Sequence, residues 1–354
     1  MRRTWLLGRI SAYLNFQRKR LEEILSLSDE NLIDLWQHRV DDDLDREYRE
    51  FSACHAEAAR ARAEAAGLEL LCQCDQAYPE SLGRLWTPPA VLHVAGGMER
   101  FLELARADPV AVVGSRRATE YGQGVALALG RGISASGLCV VSGLAGGVDA
   151  YAHRGALAAG GHTVGVLAGC AAEPYPKGNG RLYGEIRRSG AIVSEFGPGT
   201  AMRDWTFIAR NRIIAGLSRL TVLVQAREGS GAGSTVRFAR RLGDRVGAVP
   251  GAVTVSQSEL PNRLLAERAV VIRDAQDVLD AVFGAGMRDA ASADRAALNA
   301  EQLALLEAIA SGADTVAALS RTGVGGGEML VTLAELELAG CVRRAAGGRY
   351  LVVA

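Results

Sequence analysis

The residues of this chain that could do chemistry are arginines, lysines and asparagines in short loops. Between residues 110 and 251 the sequence repeats one pattern, in which a short apolar run is followed by a loop rich in small residues. A strand that ends in such a loop and opens a helix directs backbone N–H groups and the positive end of the helix at its ligand. The favoured ligand is an anion, and the neighbouring arginines favour phosphate.

The first of these loops reads GSRRAT. Gly114 permits the tight turn, the amide and hydroxyl of Ser115 can bind a phosphate, and Arg116 and Arg117 can add charged hydrogen bonds. The loop is neither a P-loop nor a GxGxxG dinucleotide motif. We predict phosphate contacts here, and the alternative is an ordinary strand–helix turn with exposed arginines.

A later loop reads YPKGN. Lys177 could reach a phosphate and Asn179 could cap a helix or bind a ligand. Plain turn chemistry explains the same residues. Both remain candidate contacts.

The segment around RNR is the most informative. Arginines beside an aromatic residue suit single-stranded nucleic acid, since cations track phosphates while a base stacks on the ring, a contact worth ~1–3 kcal/mol per base. We predict that DNA contacts come from Arg203, Phe207, Arg210, Asn211 and Arg212. The alternative is that the ring belongs to the core and the arginines pair with acids such as Glu195.

Acid–base catalysis finds little support in the sequence. Asp149 and His153 lie four residues apart on one predicted helix without an evident nucleophile, so we interpret Asp149 as a helix cap or a structural partner of the histidine. The GSGAGST turn at 229–235 resembles that of phosphoribohydrolases of the cytokinin-activating type. The catalytic glutamate that follows their turn is missing here, which argues against that enzyme class.

The elements that position these loops form an alternating pattern. The apolar runs have no polar face, as expected for strands of a parallel sheet covered on both sides. We predict a doubly wound α/β sheet that binds its ligand at the carboxyl ends of the strands. The predicted strands are 110–113, 138–142, 163–167, 191–194, 220–225 and 246–249.

Three further segments flank this sheet domain, which we place at 68–280. Residues 1–67 are predicted to form a helical N-terminal domain, and 281–295 an Ala/Gly/Asp-rich linker. Residues 296–354 follow a plan of three helices and a hairpin that turns at Gly347-Gly348, which predicts a winged helix. Winged helices bind DNA or protein, and both possibilities stay open at this point.

Composition narrows the class of protein. The 354 residues carry no net charge, which argues against coating of nucleic acid through global charge. Locally, residues 203–245 contain nine arginines against three acidic residues. The six cysteines lack a CxxC pair or metal-ligand spacing, so we expect reduced thiols, no bound metal and a cytoplasmic location. We also expect neither a cleaved signal peptide nor a membrane span.

Taken together, the loops resemble one known family. GSRRAT, SGLAGGVDAYAHRGAL, YPKGN, SEFGPG, RNRIIAGLS, GSGAGST and AVPG are similar in order and wording to the DNA-processing protein A family, DprA or Smf, over about 78–280. The resemblance implies an extended Rossmann-like fold, binding of single-stranded DNA, a homodimer and no cofactor. It further implies protection of incoming strands and loading of RecA recombinase during natural transformation, without a known enzymatic activity.

The resemblance also assigns residues and departures. By motif, the DNA-facing candidates are Gly114, Ser115, Arg116, Lys177, Asn179, Arg210, Asn211 and Arg212. Members commonly read GLARGID where this chain has Gly146 in place of the arginine, and the proline of FPxRNR is missing. The SGxLITA-like turn is altered at Gly233 and Ser234. We hypothesise that Arg117 and Arg203 compensate for the lost charge.

Two other classes of function compete with this interpretation. Related folds bind free nucleotides in the same crevice, so a nucleotide-binding enzyme or sensor is one alternative. A scaffold whose main role is protein contact is the other, because the wing sequence GRYLVV is poor in base-reading side chains.

Overall fold

A computed structural model describes residues 2–14, 20–40, 43–51, 53–290, 299–323, 329–338 and 341–352. It divides into two compact units, Met1–Asp289 and Ala290–Ala354. The predicted helical domain and the sheet domain both lie within the first unit. The domain boundaries at 67 and 280 therefore stay predictions.

A nine-stranded sheet forms the centre of the first unit, in the order β1-β2-β6-β5-β4-β3-β7-β8-β9. From β6 to β9 all neighbours are parallel, while β1 and β2 add an antiparallel edge. The strands are β1 (Glu69–Cys72), β2 (Val91–Ala95), β3 (Val110–Val113), β4 (Val140–Ser142), β5 (Thr163–Val166), β6 (Ala191–Ser194), β7 (Leu220–Leu223), β8 (Arg245–Ala248) and β9 (Val270–Val271).

The strand order confirms a doubly wound, Rossmann-like fold. The chain begins its parallel part at β3 in the middle, adds β4, β5 and β6 on one side, and then returns to add β7, β8 and β9 on the other. All six predicted runs are strands, with ends that differ by at most two residues. Each of β3 to β7 is buried along its whole length, as a sheet covered on both faces requires.

Helices cover the two faces of this sheet. Helix α9 begins where the Thr119 hydroxyl accepts a hydrogen bond from the amide of Gly122, and it packs along α10. The helices between and after the strands are α7 (Glu80–Gly83), α8 (Met98–Arg106), α9 (Glu120–Ala135), α10 (Val148–Ala158), α11 (Gly180–Ser189), α12 (Asp204–Leu217), α13 (Ala232–Arg241), α14 (Glu259–Ala266) and α15 (Ala275–Phe283).

The N-terminal helices share a core with the sheet domain. Leucines and isoleucines at helical spacing, together with Trp36, pack around Phe196 and Trp205 of the sheet domain. The Trp205 indole N–H donates to the Ser11 hydroxyl at 2.8 Å. These helices are α1 (Arg2–Arg9), α2 (Ser11–Leu14), α3 (Leu21–Leu25), α4 (Asp29–Val40), α5 (Leu44–Glu50) and α6 (Ala53–Ala65). Ser28 precedes α4, and its hydroxyl accepts a hydrogen bond from the amide of Asn31 at 3.2 Å.

One expectation about cysteines is wrong. Cys72 and Cys74 form a disulfide across the turn that ends β1, where their Cα atoms are 5.1 Å apart. The two cysteines are only two residues apart, and the turn brings their side chains together. The expectation of reduced thiols rested on the lack of a CxxC pair, and this closer spacing was not considered. Cys139 and Cys170 are free thiols and buried, and Cys341 is buried as well.

The second unit is a winged helix. Helices α16 (Ala300–Ala310), α17 (Val316–Thr322) and α18 (Met329–Leu338) precede a hairpin of β10 (Val342–Ala345) and β11 (Arg349–Val352). Gly347 and Gly348 both have positive φ, at 76° and 70°, which the predicted glycine turn requires. The predicted end of the third helix at Gly340 and residues 291–295 of the predicted linker lie outside the described residues, whereas 281–290 are described and α15 runs on to Phe283. Within the described ranges, no helix is long and apolar enough to span a bilayer.

Candidate nucleic-acid interface

The loops after β3 and β4 meet at the carboxyl edge of the sheet. Gly147 has a φ of +70°, and a Cβ there would lie 2.2 Å from the carbonyl oxygen of Ser115. The amide of Val148 donates to that same carbonyl at 3.1 Å. The glycines of the second loop thus let the two loops touch, and α10 begins at this junction.

A cleft of about 430 Å³ opens beside this junction. It lies outside the ends of β3, β4 and β5, where ligands bind in open α/β sheets. Its lining residues are Arg116, Gly143, Ala145, Gly146, Leu167, Ala168, Tyr175, Pro176, Phe207 and Arg210.

Aromatic rings and a guanidinium line one side of the cleft. The Arg116 guanidinium carbon is 5.1 Å from the centre of the Phe207 ring, and the Tyr175 ring is 5.6 Å from the same ring. Arg116 is exposed and Phe207 is half-buried. A half-buried ring next to an exposed cation offers a stacking face for a base and a partner for a phosphate.

Arg210 lies at the bottom of the cleft and is only 5% exposed. Its Nη1 donates to the carbonyl oxygens of Gly143 and Val166, at 2.6 and 2.7 Å. Burial lowers the pKa of Arg210 to about 10, opposed by the Asp149 carboxylate and assisted by the charge of Arg116. The guanidinium is therefore still charged at neutral pH.

Asp149 supports the second loop from below. Its Oδ2 accepts a hydrogen bond from the amide of Gly143 at 3.1 Å. Burial raises the pKa of Asp149, while Arg210 and the backbone amides of the loops counteract that rise. The predicted helix cap is therefore a brace for the loop. The Nδ1 of His153 lies 2.7 Å from the Thr163 hydroxyl, so the hydrogen-bond partner of this ring nitrogen is Thr163 and not Asp149.

The two candidates of the YPKGN loop lie at one end of the cleft. Lys177 is exposed and follows Pro176, a lining residue. The Asn179 side-chain amide donates to the carbonyl of Leu144 at 2.9 Å. Lys177 is thus available to a ligand, whereas Asn179 shapes the neighbouring loop.

The three side chains of the RNR segment point to different parts of the molecule. Arg210 reaches the cleft, but the Asn211 amide donates to Ser234 Oγ at 2.8 Å and to the Gly231 carbonyl. Arg212 is buried and binds both carboxylate oxygens of Glu195, at 2.6 and 2.7 Å. Arg212 therefore forms the ion pair with Glu195 that the sequence offered as the alternative to DNA contact. Because the side chains of Asn211 and Arg212 are both engaged within the protein, we remove these two residues from the proposed DNA contacts.

The remaining candidates belong to the loops or to the surface. Gly114 is packed against Val148, where a Cβ would lie 2.7 Å from a side-chain methyl. The Ser115 amide donates to the Gln225 carbonyl and its hydroxyl accepts from the amide of Arg117. The side chains of Arg117 and Arg203 are exposed, beside Arg116 and just before α12.

Sequence reasoning missed two contributors to the cleft. Tyr175 belongs to the YPKGN turn and was not predicted as a contact, but its ring packs on that of Phe207. An aromatic residue directly before the prolyl-lysyl pair was the available signal. Gly143 was not predicted as a site residue either. It leaves room for Arg210, because a Cβ at this position would lie 1.9 Å from Arg210 Nη1.

Both units of the chain match models of known protein families. Residues 69–283 match the model described as DNA recombination-mediator protein A, and residues 289–348 match the DprA winged helix domain. Over 183 residues the chain is 43% identical to a putative DNA processing protein DprA of Mycobacterium tuberculosis. That alignment covers 50% of this chain and 47% of the relative, so the chain spans about half of that protein's length.

Solved structures agree with this assignment. DNA processing protein A of Streptococcus pneumoniae superposes with a TM-score of 0.62 at 30% identity, over 78% of this chain and 93% of that one. The Helicobacter pylori protein, whose structure was reported for its single-stranded DNA binding mode, gives 0.54 at 27% identity over 61% and 96%. With more than half of its length matched by the family model, the chain belongs to the DNA recombination-mediator protein A family.

Proposed function

We propose that this protein binds single-stranded DNA in the cleft beside β3, β4 and β5. The observation that carries the proposal is the grouping of Arg116, Tyr175 and Phe207 above the buried Arg210. A base stacks on the exposed part of the Phe207 ring, while Arg116 and Lys177 contact phosphates. Arg117 and Arg203 add charge at the rim.

This mode of binding is largely independent of sequence. Aromatic faces accept every base, and phosphates are the same along the strand. The described lining contains no asparagine, glutamine or carboxylate side chain that could read a base edge. The related Helicobacter pylori protein, reported for its single-stranded DNA binding mode, supports the same ligand here.

We place this activity in DNA processing during natural transformation. The family membership supports a role in which the protein protects incoming single strands and helps to load RecA. It acts as a homodimer in the cytoplasm, and its role is binding, not catalysis. Pull-down of purified RecA and sedimentation of the full chain test the partner and the dimer separately.

The decisive experiment is fluorescence anisotropy with labelled oligo-dT across a salt series, beside a duplex of equal length. We expect tighter binding of the single strand and a slope of log K against log salt of about −0.7 for each phosphate contacted. Equal affinity for the duplex, or no salt dependence, would contradict the proposal.

The nucleotide-binding alternative makes a different prediction. A sensor or enzyme of that class is stabilised against heat by mononucleotides and not by oligo-dT. Thermal melting with each ligand therefore separates the two classes in one experiment.

A further inference from the structure

Arg210 connects three separate elements under the cleft. It projects from α12, and its Nη1 bridges the carbonyl of Gly143 after β4 and the carbonyl of Val166 at the end of β5. At 5% exposure the side chain is nearly enclosed. The position differs in kind from that of Arg116, which is exposed at the rim.

The fit between Arg210 and the loop is close from both sides. A Cβ on Gly143 would lie 1.9 Å from Nη1 and 2.4 Å from the guanidinium carbon. At the same residue, the Gly143 amide, which belongs to the preceding peptide group, donates to Asp149. One residue of the loop is thereby held through its carbonyl by a cation and through its amide by an anion.

The loop held in this way is part of the cleft wall. Gly143, Ala145 and Gly146 all line the cleft, and Gly147 follows at the contact with the first loop. Glycine-rich backbone has many accessible conformations, so a fixed shape needs outside support. The described contacts supply that support through Arg210 and Asp149, with Asn179 holding the next carbonyl at Leu144.

We infer that Arg210 is a positioning residue for single-strand binding: it fixes the Gly143–Gly147 loop from beneath, and the salt-sensitive phosphate contacts belong to the exposed Arg116 and Lys177. The effect of Arg210 on single-strand binding rests on the proposed function. Its effect on the conformation of the 143–147 loop concerns the free protein and does not. The inference changes the role that the RNR motif suggests for its first arginine.

Arg210→Lys separates positioning from direct contact. Lysine keeps the charge, but its side chain is one bond shorter and its ammonium lacks the planar fork, so it does not bridge both carbonyls. A direct phosphate contact would survive this change. Positioning predicts that amide hydrogen exchange of residues 143–147 speeds up by about tenfold or more, the size expected for losing a charged hydrogen bond.

The same variant is measured with labelled oligo-dT. We expect an affinity about tenfold lower at an unchanged salt slope, because the number of contacted phosphates stays the same. Gly143→Ala is the second variant, since its methyl displaces the flexible end of Arg210 without removing the charge. It is expected to reproduce both effects, and it keeps the test decisive if Arg210→Lys folds poorly.

Arg212→Lys is the matched control. Arg212 is also a buried arginine of α12, but it pairs with Glu195 and lines a different cavity, beside Leu85 and Phe238. We expect exchange at 143–147 and affinity within about twofold of the wild type, although global stability falls. The inference is overturned if Arg210→Lys and Gly143→Ala leave loop exchange unchanged, or if Arg212→Lys accelerates it equally. Absence of oligo-dT binding by the wild type would instead refute the proposed function, and the exchange data would still decide the role of Arg210.

Discussion

Arg116 is the residue on which the proposed interface most depends. Its guanidinium lies over Phe207 and is exposed, so Arg116→Ala removes a phosphate contact without opening the core. We expect weaker oligo-dT binding and a salt slope smaller in magnitude by about 0.7. Anisotropy titrations at several salt concentrations measure both quantities.

The control for this change is Arg154→Ala. Arg154 also packs on an aromatic ring, that of Tyr151 at 4.9 Å, but lies further along α10 and not among the cleft-lining residues. Its loss should leave affinity and slope nearly unchanged. Equal effects of the two substitutions would mean that general surface charge, not the cleft, binds the strand.

Gly146 offers a gain of function. A Cβ there meets only the Arg116 carbonyl at 3.6 Å, an ordinary contact, and the backbone φ is not in the positive range. Gly146→Arg therefore places a basic side chain where the GLARGID pattern has one and adds a partner for a phosphate in the proposed interface. We expect severalfold tighter binding of oligo-dT and a slope steeper by about 0.7.

Two variants serve as controls for the Gly146→Arg prediction. Gly146→Gln tests bulk without charge and should not steepen the slope. Gly147→Arg should abolish binding, because its φ of +70° and the 2.2 Å approach to Ser115 exclude a side chain. If Gly146→Arg binds no better than the glutamine variant, the strand does not pass position 146.

The RNR motif illustrates what could and could not be predicted at this scale. The residue types correctly indicated a cation beside an aromatic ring in a crevice. Successive residues of a helix point about 100° apart, however, so Arg210, Asn211 and Arg212 face the cleft, the 229–235 turn and Glu195 respectively. Only the fold decides which of the three meets a ligand.

At the scale of elements, helix α12 is anchored by a buried ion pair. Arg212 and Glu195 are 3% and 1% exposed and join α12 to the segment after β6. Arg212→Ala leaves the carboxylate buried without its partner, which costs about 3–5 kcal/mol. We expect a large fall in the free energy of unfolding, measured with urea, and unchanged affinity of the remaining folded protein. A loss of affinity at full stability would return Arg212 to the interface.

The packing of α10 on β5 predicts a pH effect. The Thr163 hydroxyl donates to the Val140 carbonyl, so neutral His153 donates to Thr163 from Nδ1 and its Nε2 has no partner among the described residues. Burial, assisted by the charge of Arg210, lowers the pKa of His153 from 6.5 to about 3. The stabilisation is complete above pH 6.5 and is lost as the pH falls from there towards 3, by up to about 1.4 kcal/mol per unit.

His153→Leu isolates this effect. The variant lacks the titrating group, so its free energy of unfolding should fall less steeply than that of the wild type between pH 6.5 and 4. Urea titrations at half-unit intervals give the two curves. Parallel curves would show that the histidine is not held neutral.

The parallel strands β3 to β8 could be predicted from the sequence because each is a mostly apolar run followed by a loop rich in small residues. The edges were harder. β9 has only two residues, and β1 is partly exposed, so neither carries enough apolar periodicity to stand out. The antiparallel pairing of β2 with β6 is a long-range contact that no local pattern specifies.

For the whole molecule, the arginine-rich stretch from 203 to 245 does not become a continuous positive surface. Five of the nine arginines pair with acids, and apart from Glu195, which the sequence offered as a partner, these acids could not be chosen from the sequence. These ion pairs are Arg212–Glu195, Arg219–Asp108, Arg237–Glu22, Arg240–Glu267 and Arg241–Glu22. Within this stretch, the exposed Arg203 directly precedes α12, which carries the cleft residues Phe207 and Arg210.

All cleft residues lie in the unit Met1–Asp289, which leads to a prediction about the winged helix. A chain ended after Asp289 should bind a short oligo-dT with an affinity within about threefold of the full chain, since the stacking and phosphate contacts are retained. Anisotropy with the same probe makes the comparison. A much larger loss would assign single-strand contacts to the C-terminal unit.

The bond between Trp205 and Ser11 has a consequence for how this family member can vary. Trp205 is embedded among the first helices of the chain, and only one residue separates it from Phe207, whose ring is the proposed stacking face for a base. Because the N-terminal helices hold Trp205, amino-acid replacements near the N-terminus can shift the first turn of α12, and with it the Phe207 ring on which the proposed single-strand binding depends.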